Sequence, residues 1–265
     1  AVESSPIAVY DPTMRAFVSA FLALALVACA YAAAVDQKIL PENVRACRQS
    51  DNDYSSCLKS AIQDSWATFV QGIPQLKSPS LDPFEIDAVE HSLEAGDLFK
   101  GHLVLRDIKI YGLTRTKIVD ARPQISDERI KLDLDVEIPK VLIECEYRAA
   151  GSVGSFDVSG KGHFNISMVG LTATWGLDGA VKDDRWVVEH FRINPQIKNM
   201  KVYFSDVRNG DNQLNEIAMT ITNQYWPIFF EAMKPIIREL SDSRLANFVN
   251  QVAFSKIPAS KIFLK

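Results

Sequence analysis

Residues 211–240 read DNQLNEIAMTITNQYWPIFFEAMKPIIREL, and the fold turns on how this stretch is read. Leu214, Ile217, Ile221, Ile228, Met233 and Ile237 recur at steps near three and four, the spacing of one helical face. Ala218, Tyr225, Trp226, Phe229, Phe230, Ile236 and Leu240 widen the apolar band around much of the circumference. A helix apolar nearly all round is expected to be surrounded by other structure. At 1.5 Å per residue it would span roughly 40 Å. Asn209-Gly210 before it is turn chemistry. Asp211 or Asn212 can cap the first turn, although Leu214 leaves no capping box. Pro227 removes a backbone donor and predicts a kink, at a cost of about 3 kcal/mol. Pro235 predicts a second break, so the element is expected as two or three collinear pieces.

The opposite end of the chain carries an address. Met14-Arg15 precedes an apolar run over 16–30, followed by the small residues Ala32, Ala33 and Ala34. A charged start, a short apolar core and an A-x-A signal predict a secretory signal peptide at 14–34, cleaved after Ala32 or Ala34. The run is too short for a typical membrane span. Residues 1–13 stand before Met14 and are expected to be a gene-model extension. Residues 35–265 are expected to form a single domain. The whole chain has a formal charge of −4. A mildly acidic chain with no basic run in its sequence argues against nucleic acid and against docking on anionic lipid.

Cysteine usage follows from the compartment. Cys47 and Cys57 enclose a polar turn, CRQSDNDYSSC, and in a secreted chain such a pair is expected to be oxidised. No other Cys or His stands near enough in sequence to suggest zinc. Cys145 alternates with Val141, Ile143 and Tyr147 and is expected as an inert, buried thiol.

Between the termini the period changes. Leu58, Ile62, Trp66 and Phe69 form one helical stripe, stopped by Gly72 and Pro74. Residues 77–83 read as a connector. From there to about Phe204 the period is two. Phe84 to Val89, Leu103 to Ile110 with a bulge at Arg106-Asp107, Ile130 to Ile138, Val141 to Tyr147, Phe164 to Met168, Leu171 to Leu177, Val187 to Ile193 and Met200 to Phe204 are the predicted strands. Glycines 151, 154, 160, 162, 170, 176 and 179 are read as turns between them. Short connections predict antiparallel, sequential pairing. Residues 241–255 predict one more amphipathic helix, capped by Ser241 or Asp242, before a tail containing Pro258. One-sided strands need an apolar cover. The class expected is therefore α+β: a strongly curved antiparallel sheet wrapped round a long C-terminal helix, with short helices at both ends.

These pieces, taken in order, resemble a known family. They are the early pair Cys47 and Cys57 followed by Leu58 and a helix, Ile73-Pro74, Asp82-Pro83-Phe84 and the block Leu105-Arg106-Asp107-Ile108-Lys109-Ile110-Tyr111-Gly112-Leu113. Next come Pro139, Gly160-Lys161-Gly162, Asn209-Gly210-Asp211, and a helix with Asn223, Trp226 and Lys234-Pro235. In order and spacing the chain resembles the juvenile hormone-binding protein and takeout family of insect secreted proteins. The resemblance implies a tubular fold around an elongated apolar cavity, one disulfide between Cys47 and Cys57, and extracellular transport. It also implies roles in hormone delivery, chemosensation, feeding or rhythm-linked behaviour. The hormone-binding branch carries a second disulfide. This chain has only Cys145 to spare, so it looks closer to the takeout branch. Pro227 departs from the polar residue the family usually carries after the Trp.

These features bear on three classes of function. The first is a secreted carrier of a small lipophilic ligand, because continuous apolar faces suffice to bind one without any catalytic group. The expected lining is Trp66, Phe69, Ile143, Tyr147, Phe164, Ile166, Trp175, Phe191, Phe204, Trp226, Phe229 and Met233. The Tyr147 hydroxyl is the group expected to orient a ligand oxygen. An apolar lining accepts an isoprenoid hormone, a fatty acid, an odorant or a quinone, since hydrocarbons of similar size are weakly discriminated. The second, an esterase, has no G-x-S-x-G elbow, and His91, His102, His163 and His190 stand singly. His163 and His190 are expected to face solvent. No catalytic residue, cofactor or metal is expected. The third is an interaction or signalling protein with an incidental cavity. The chain is expected to be a monomer. Asn165-Ile166-Ser167 is a glycosylation sequon on the solvent side of its strand.

Overall fold

The computed structural model describes residues 47–95, 99–153, 156–205 and 212–265. The expected signal peptide, the expected 1–13 extension and the expected cap at Asp211 lie outside them. In the described part, β1 (Cys47–Arg48) leads into α1 (Tyr54–Gln71). The strands β2 (Phe84–Ala95), β3 (Phe99–Tyr111), β4 (Lys117–Ile125), β5 (Arg129–Val153), β6 (Phe156–Lys182), β7 (Arg185–Gln196) and β8 (Asn199–Phe204) follow. The chain ends with α2 (Asn212–Gln224), α3 (Trp226–Val249), a π-helical turn over Asn250–Phe254, α4 (Ala259–Ile262) and β9 (Phe263–Leu264).

The scaffold is the β5–β6 hairpin, paired along its whole length from Arg129↔Ala180 to Val153↔Phe156. One edge is flanked by β4 on its near half and β3 on its far half. The other edge is flanked by β7 on the near half and β8 on the far half. β2 completes the seven-stranded antiparallel sheet beside β3. This is a curled half-barrel sheet carrying a long C-terminal helix. α3 lies against β7, α1 against β4 and α2 against β8.

Two expectations about strands need correction. Val141–Tyr147 is not separate from Ile130–Ile138; β5 runs 25 residues straight through Pro139. β6 likewise runs 27 residues through five of the glycines read as turns, 160, 162, 170, 176 and 179. Glycine here relieves crowding within a strand instead of ending it. Gly170 holds φ +64°, and a Cβ there would meet the Lys198 side chain at 2.7 Å. The expected bulge is present: Asp107 has φ +51° and the β3–β5 register slips between Arg106 and Lys109. β4 was not foreseen, because a register slip between Ile118 and Asp120 and the presence of Pro123 blur its alternation.

The helical stretch also differs. It breaks once, at Tyr225, where Pro227 sits in the first turn of α3. Pro235 lies inside α3 without ending it. α3 then continues past Leu240 to Val249, so Ser241 and Asp242 cap nothing. Nor is the stretch buried all round: Phe230 is buried, whereas Ile217 is 56% and Ile228 68% exposed. Among the described residues of α2 the half-buried ones are Asn215, Ala218, Met219, Thr222 and Asn223, a face of mixed polarity, and the helix lies against β8.

Three carboxamides fix helices to strands lacking a ladder partner. Asn223 accepts from the Val202 N–H (2.7 Å) and donates to its carbonyl (2.9 Å). Asn250 does the same at Val188 (2.9 and 2.8 Å). Gln63 accepts from the Ile118 N–H (2.7 Å) and reaches the Thr116 carbonyl (3.4 Å). Each satisfies edge-strand groups that would otherwise stand open. At the start of β7, Trp186 is packed between Phe254 (4.5 Å) and Phe263 (5.6 Å). β9 pairs in parallel with β1, beside the Cys47–Cys57 disulfide.

Candidate functional site

Alternation along β5 and β6 sets one face inward. On the near half, Ile130, Leu132, Leu134, Val136 and Ile138 are buried, opposite Leu171, Ala173 and Leu177. On the far half, Ile143 faces Ile166 and Cys145 faces Phe164 across the ladder. Phe204 of β8 stands opposite Phe164.

The expected lining residues fall into different environments. Ile166 and Phe191 are buried in the core. Ile143, Phe164, Trp175, Phe204, Trp226 and Met233 are only partly buried, packed against that core. Trp66, Trp175 and Phe191 form one aromatic row, with centroids 5.7 and 6.3 Å apart. The Trp66 indole donates to the Leu113 carbonyl (2.8 Å), which turns its ring toward Trp175. Tyr147 and Phe164 form a second pair at 6.3 Å. Phe69 is half-buried on α1 and belongs to neither group. Phe229 is 40% exposed, because the turn of α3 that buries Phe230 carries its neighbour outward.

Two polar groups on this face have structural partners. The Tyr147 hydroxyl donates to the Ser205 carbonyl at 2.6 Å, so it ties β5 to the end of β8 and its proton is not offered to a ligand. Cys145 is a buried free thiol, raised to about 11 by burial, with Sγ 3.7 Å from the Phe164 carbonyl oxygen. It is buried as expected, and burial disfavours the thiolate form. His163 is exposed, but His190 is half-buried and lies 3.0 Å from Asp242 on α3. Asp242 also accepts from the Phe191 N–H (2.7 Å), so it fixes α3 against an aromatic residue of the site. This bond was not foreseen, because Asp242 reads as a helix cap in the sequence. Asn165 is half-buried on β6, between Glu144 and Tyr203 on the neighbouring strands. Among the described residues no group of three His, Cys, Asp or Glu could hold a metal ion. No described helix is long and apolar enough to cross a membrane.

The model of a family described as haemolymph juvenile hormone binding protein matches residues 22–264. The chain belongs to that family. Circadian clock-controlled protein daywake of Drosophila yakuba is 21% identical over 234 residues, covering 84% of this chain and 88% of the relative. The crystal structure of Epiphyas postvittana Takeout 1 superposes with a TM-score of 0.66 at 20% identity, covering 84% of this chain and all of that one. That likeness establishes the fold: the curled sheet and long helix of the hormone binding protein family.

Proposed function

We propose that the protein is a secreted carrier that holds a small lipophilic ligand against the inner face of the sheet. One observation carries the reading: Ile143, Phe164, Trp175, Phe204, Trp226 and Met233 all face the core, yet stay partly accessible. Large apolar side chains left incompletely covered on the concave side are the surface an apolar ligand would complete, at about 25 cal/mol per Å² buried. Family membership supports it, since the family is described by its binding of a hormone. The ligand class is a terpenoid, fatty acid, odorant or compound of similar size, bound without turnover. Secretion would follow from a signal peptide at 14–34. Service to a rhythmic, feeding or chemosensory behaviour would fit the clock control named for the Drosophila yakuba relative.

Native mass spectrometry of the secreted protein, followed by organic extraction, tests this directly. The expected result is a stoichiometric lipophile, or uptake of one from a panel of terpenoids, fatty acids and quinones. A mass unchanged by every member of the panel overturns the carrier reading. The exposed stripe of Ile217, Ile221 and Ile228 favours a second reading, in which α2 and α3 present an interaction surface. Ile221→Glu would then abolish a concentration-dependent mass in light scattering while leaving ligand uptake intact. Occupancy of the Asn165 sequon is proposed as well, and a mobility shift on deglycosylation that Asn165→Gln removes would establish it.

A further inference from the structure

A cavity of about 730 Å³ lies on the far half of the sheet, lined among others by His102, Arg106, Glu146, Arg148, Lys161 and His163. These six share one side of their strands, as the register shows. Arg106, Glu146 and His163 form one cross-strand row. Val104, Arg148 and Lys161 form the next, and His102 stands opposite Ala150 in a third. They alternate with Leu103, Leu105, Cys145 and Tyr147, so the cavity is built chiefly on the outward face, with Tyr147 and Gly162 of the alternate positions completing its lining. With strands about 4.8 Å apart and about 3.3 Å of rise per residue, five basic side chains converge on a patch roughly 10 by 14 Å.

The chain as a whole is acidic, at −4, so this grouping runs against its balance. Among the described residues, the side chains of Arg106, Arg148 and Lys161 make no hydrogen bond or ion pair. On the outer side of the near half two arginines are engaged: Arg122 with Asp120 and Asp135, and Arg129 with Asp178 and Glu189. Glu146 is the only carboxylate in the lining, and Glu90 at the rim is held by His102 at 2.8 Å. Three fixed cations against one carboxylate leave the cavity a surplus of two positive charges. A single carboxylate cannot balance that, whereas a phosphate monoester, at about −1.5 to −2, does. Guanidinium forks also match the paired oxygens of a phosphate. The volume lies within the usual range for small-molecule sites.

We propose that the cavity around Arg106, Arg148 and Lys161 is a binding site for a phosphate group, carried by a small soluble compound or by a phospholipid headgroup. The proposal does not rest on the carrier reading, and a protein that takes up no lipophile would still bind phosphate. The full secreted chain is tested with inorganic phosphate and glycerol 3-phosphate by calorimetry. In parallel it is tested by co-sedimentation with phosphatidylcholine vesicles, with and without phosphatidic acid. Arg148→Gln/Lys161→Gln removes two cations of the cavity. Lys77→Gln/Lys182→Gln removes two exposed cations elsewhere and controls for net charge.

The expected result is saturable binding of at least one phosphate probe, weakened about tenfold or more in the cavity variant and unchanged in the control. Binding of the soluble probes assigns a soluble phosphate compound, and binding only to vesicles with phosphatidic acid assigns a headgroup. Glu146→Gln is expected to tighten whichever binding is seen, a gain that a folding defect cannot produce. Binding of no probe, equal loss in both double variants, or no gain in Glu146→Gln overturns the proposal.

Discussion

Ile130, Leu132, Leu134, Val136 and Ile138 in the near half of β5 are all buried, whereas in its far half Val141 and Cys145 are buried but Ile143, Tyr147 and Ala149 are only half-buried. Both runs alternate with polar residues in the same way. What differs is the cover. The near half has β4 with α1 on one side and β7 with α3 on the other. The far half has β3 and β8, and α2 is bonded to β8 through Asn223. Alternation therefore states which side of a strand faces inward, but not how completely that side is covered. The near half serves as core, and the far half keeps apolar surface for something else.

The sharpest way to break this contrast is to hollow out each half in turn. Leu132→Ala in the near half is expected to cost about 2–5 kcal/mol, the range for a large-to-small change at a buried site. Ile143→Ala is expected to cost clearly less in the ligand-free protein, because a partly accessible site loses less burial and leaves no sealed void. Equal losses in urea unfolding would mean that the far half is ordinary core, and the carrier reading would lose its main support.

A smaller effect tests how the two halves are joined to their helices. Asn223→Ala leaves both backbone groups of Val202 without their partner and is expected to cost about 1–3 kcal/mol. The same change at Asn250 acts on Val188 in the near half. Because the described residues of α2 are at most half-buried, hydrogen exchange in β8 is expected to rise after Asn223→Ala. β7 is expected to stay protected after Asn250→Ala, since Phe230 and Ala246 of α3 still hold its helix in place. Loss of protection in both strands alike would refute the difference in cover.

Much of this arrangement was legible in the sequence. The period-two runs marked the inward residues, Arg106-Asp107 marked the bulge, and Gly72 marked the end of α1. The two long strands were not legible, because Pro139 and glycines such as Gly170 look like breaks when only the local residues are read. β5 and β6 satisfy each other's backbone along the whole ladder, and this pairing outweighs local preference. Tyr147 was placed on the correct face with the wrong partner: Ser205 lies 58 residues away and no pattern points to it. The basic cavity was invisible for the same reason. Its cations come from β3, β5 and β6 and are adjacent only in the folded sheet, so a chain without a basic run still assembles a basic patch.

The outer faces repeat the contrast in charge, and pH offers the finest test of it. On the near half Asp135 is held down to about 2, chiefly by its hydrogen bonds from Arg122, with Thr174 donating a further one at 2.7 Å. A carboxyl with a lowered folded value stabilises the fold above its ordinary value of 3.8, and that contribution fades as pH falls toward 2. Asp135→Asn is expected to be less stable than the natural chain at neutral pH by under about 1 kcal/mol, because the pair is partly exposed and screened. The gap should close between about pH 4 and pH 2, followed by denaturant midpoints across that range. A gap that stayed constant with pH would mean that Arg122 does not hold Asp135 as drawn. Arg122 would then be held by Asp120 alone, and the contrast with the basic cavity would rest on Arg129 and its pairs with Asp178 and Glu189.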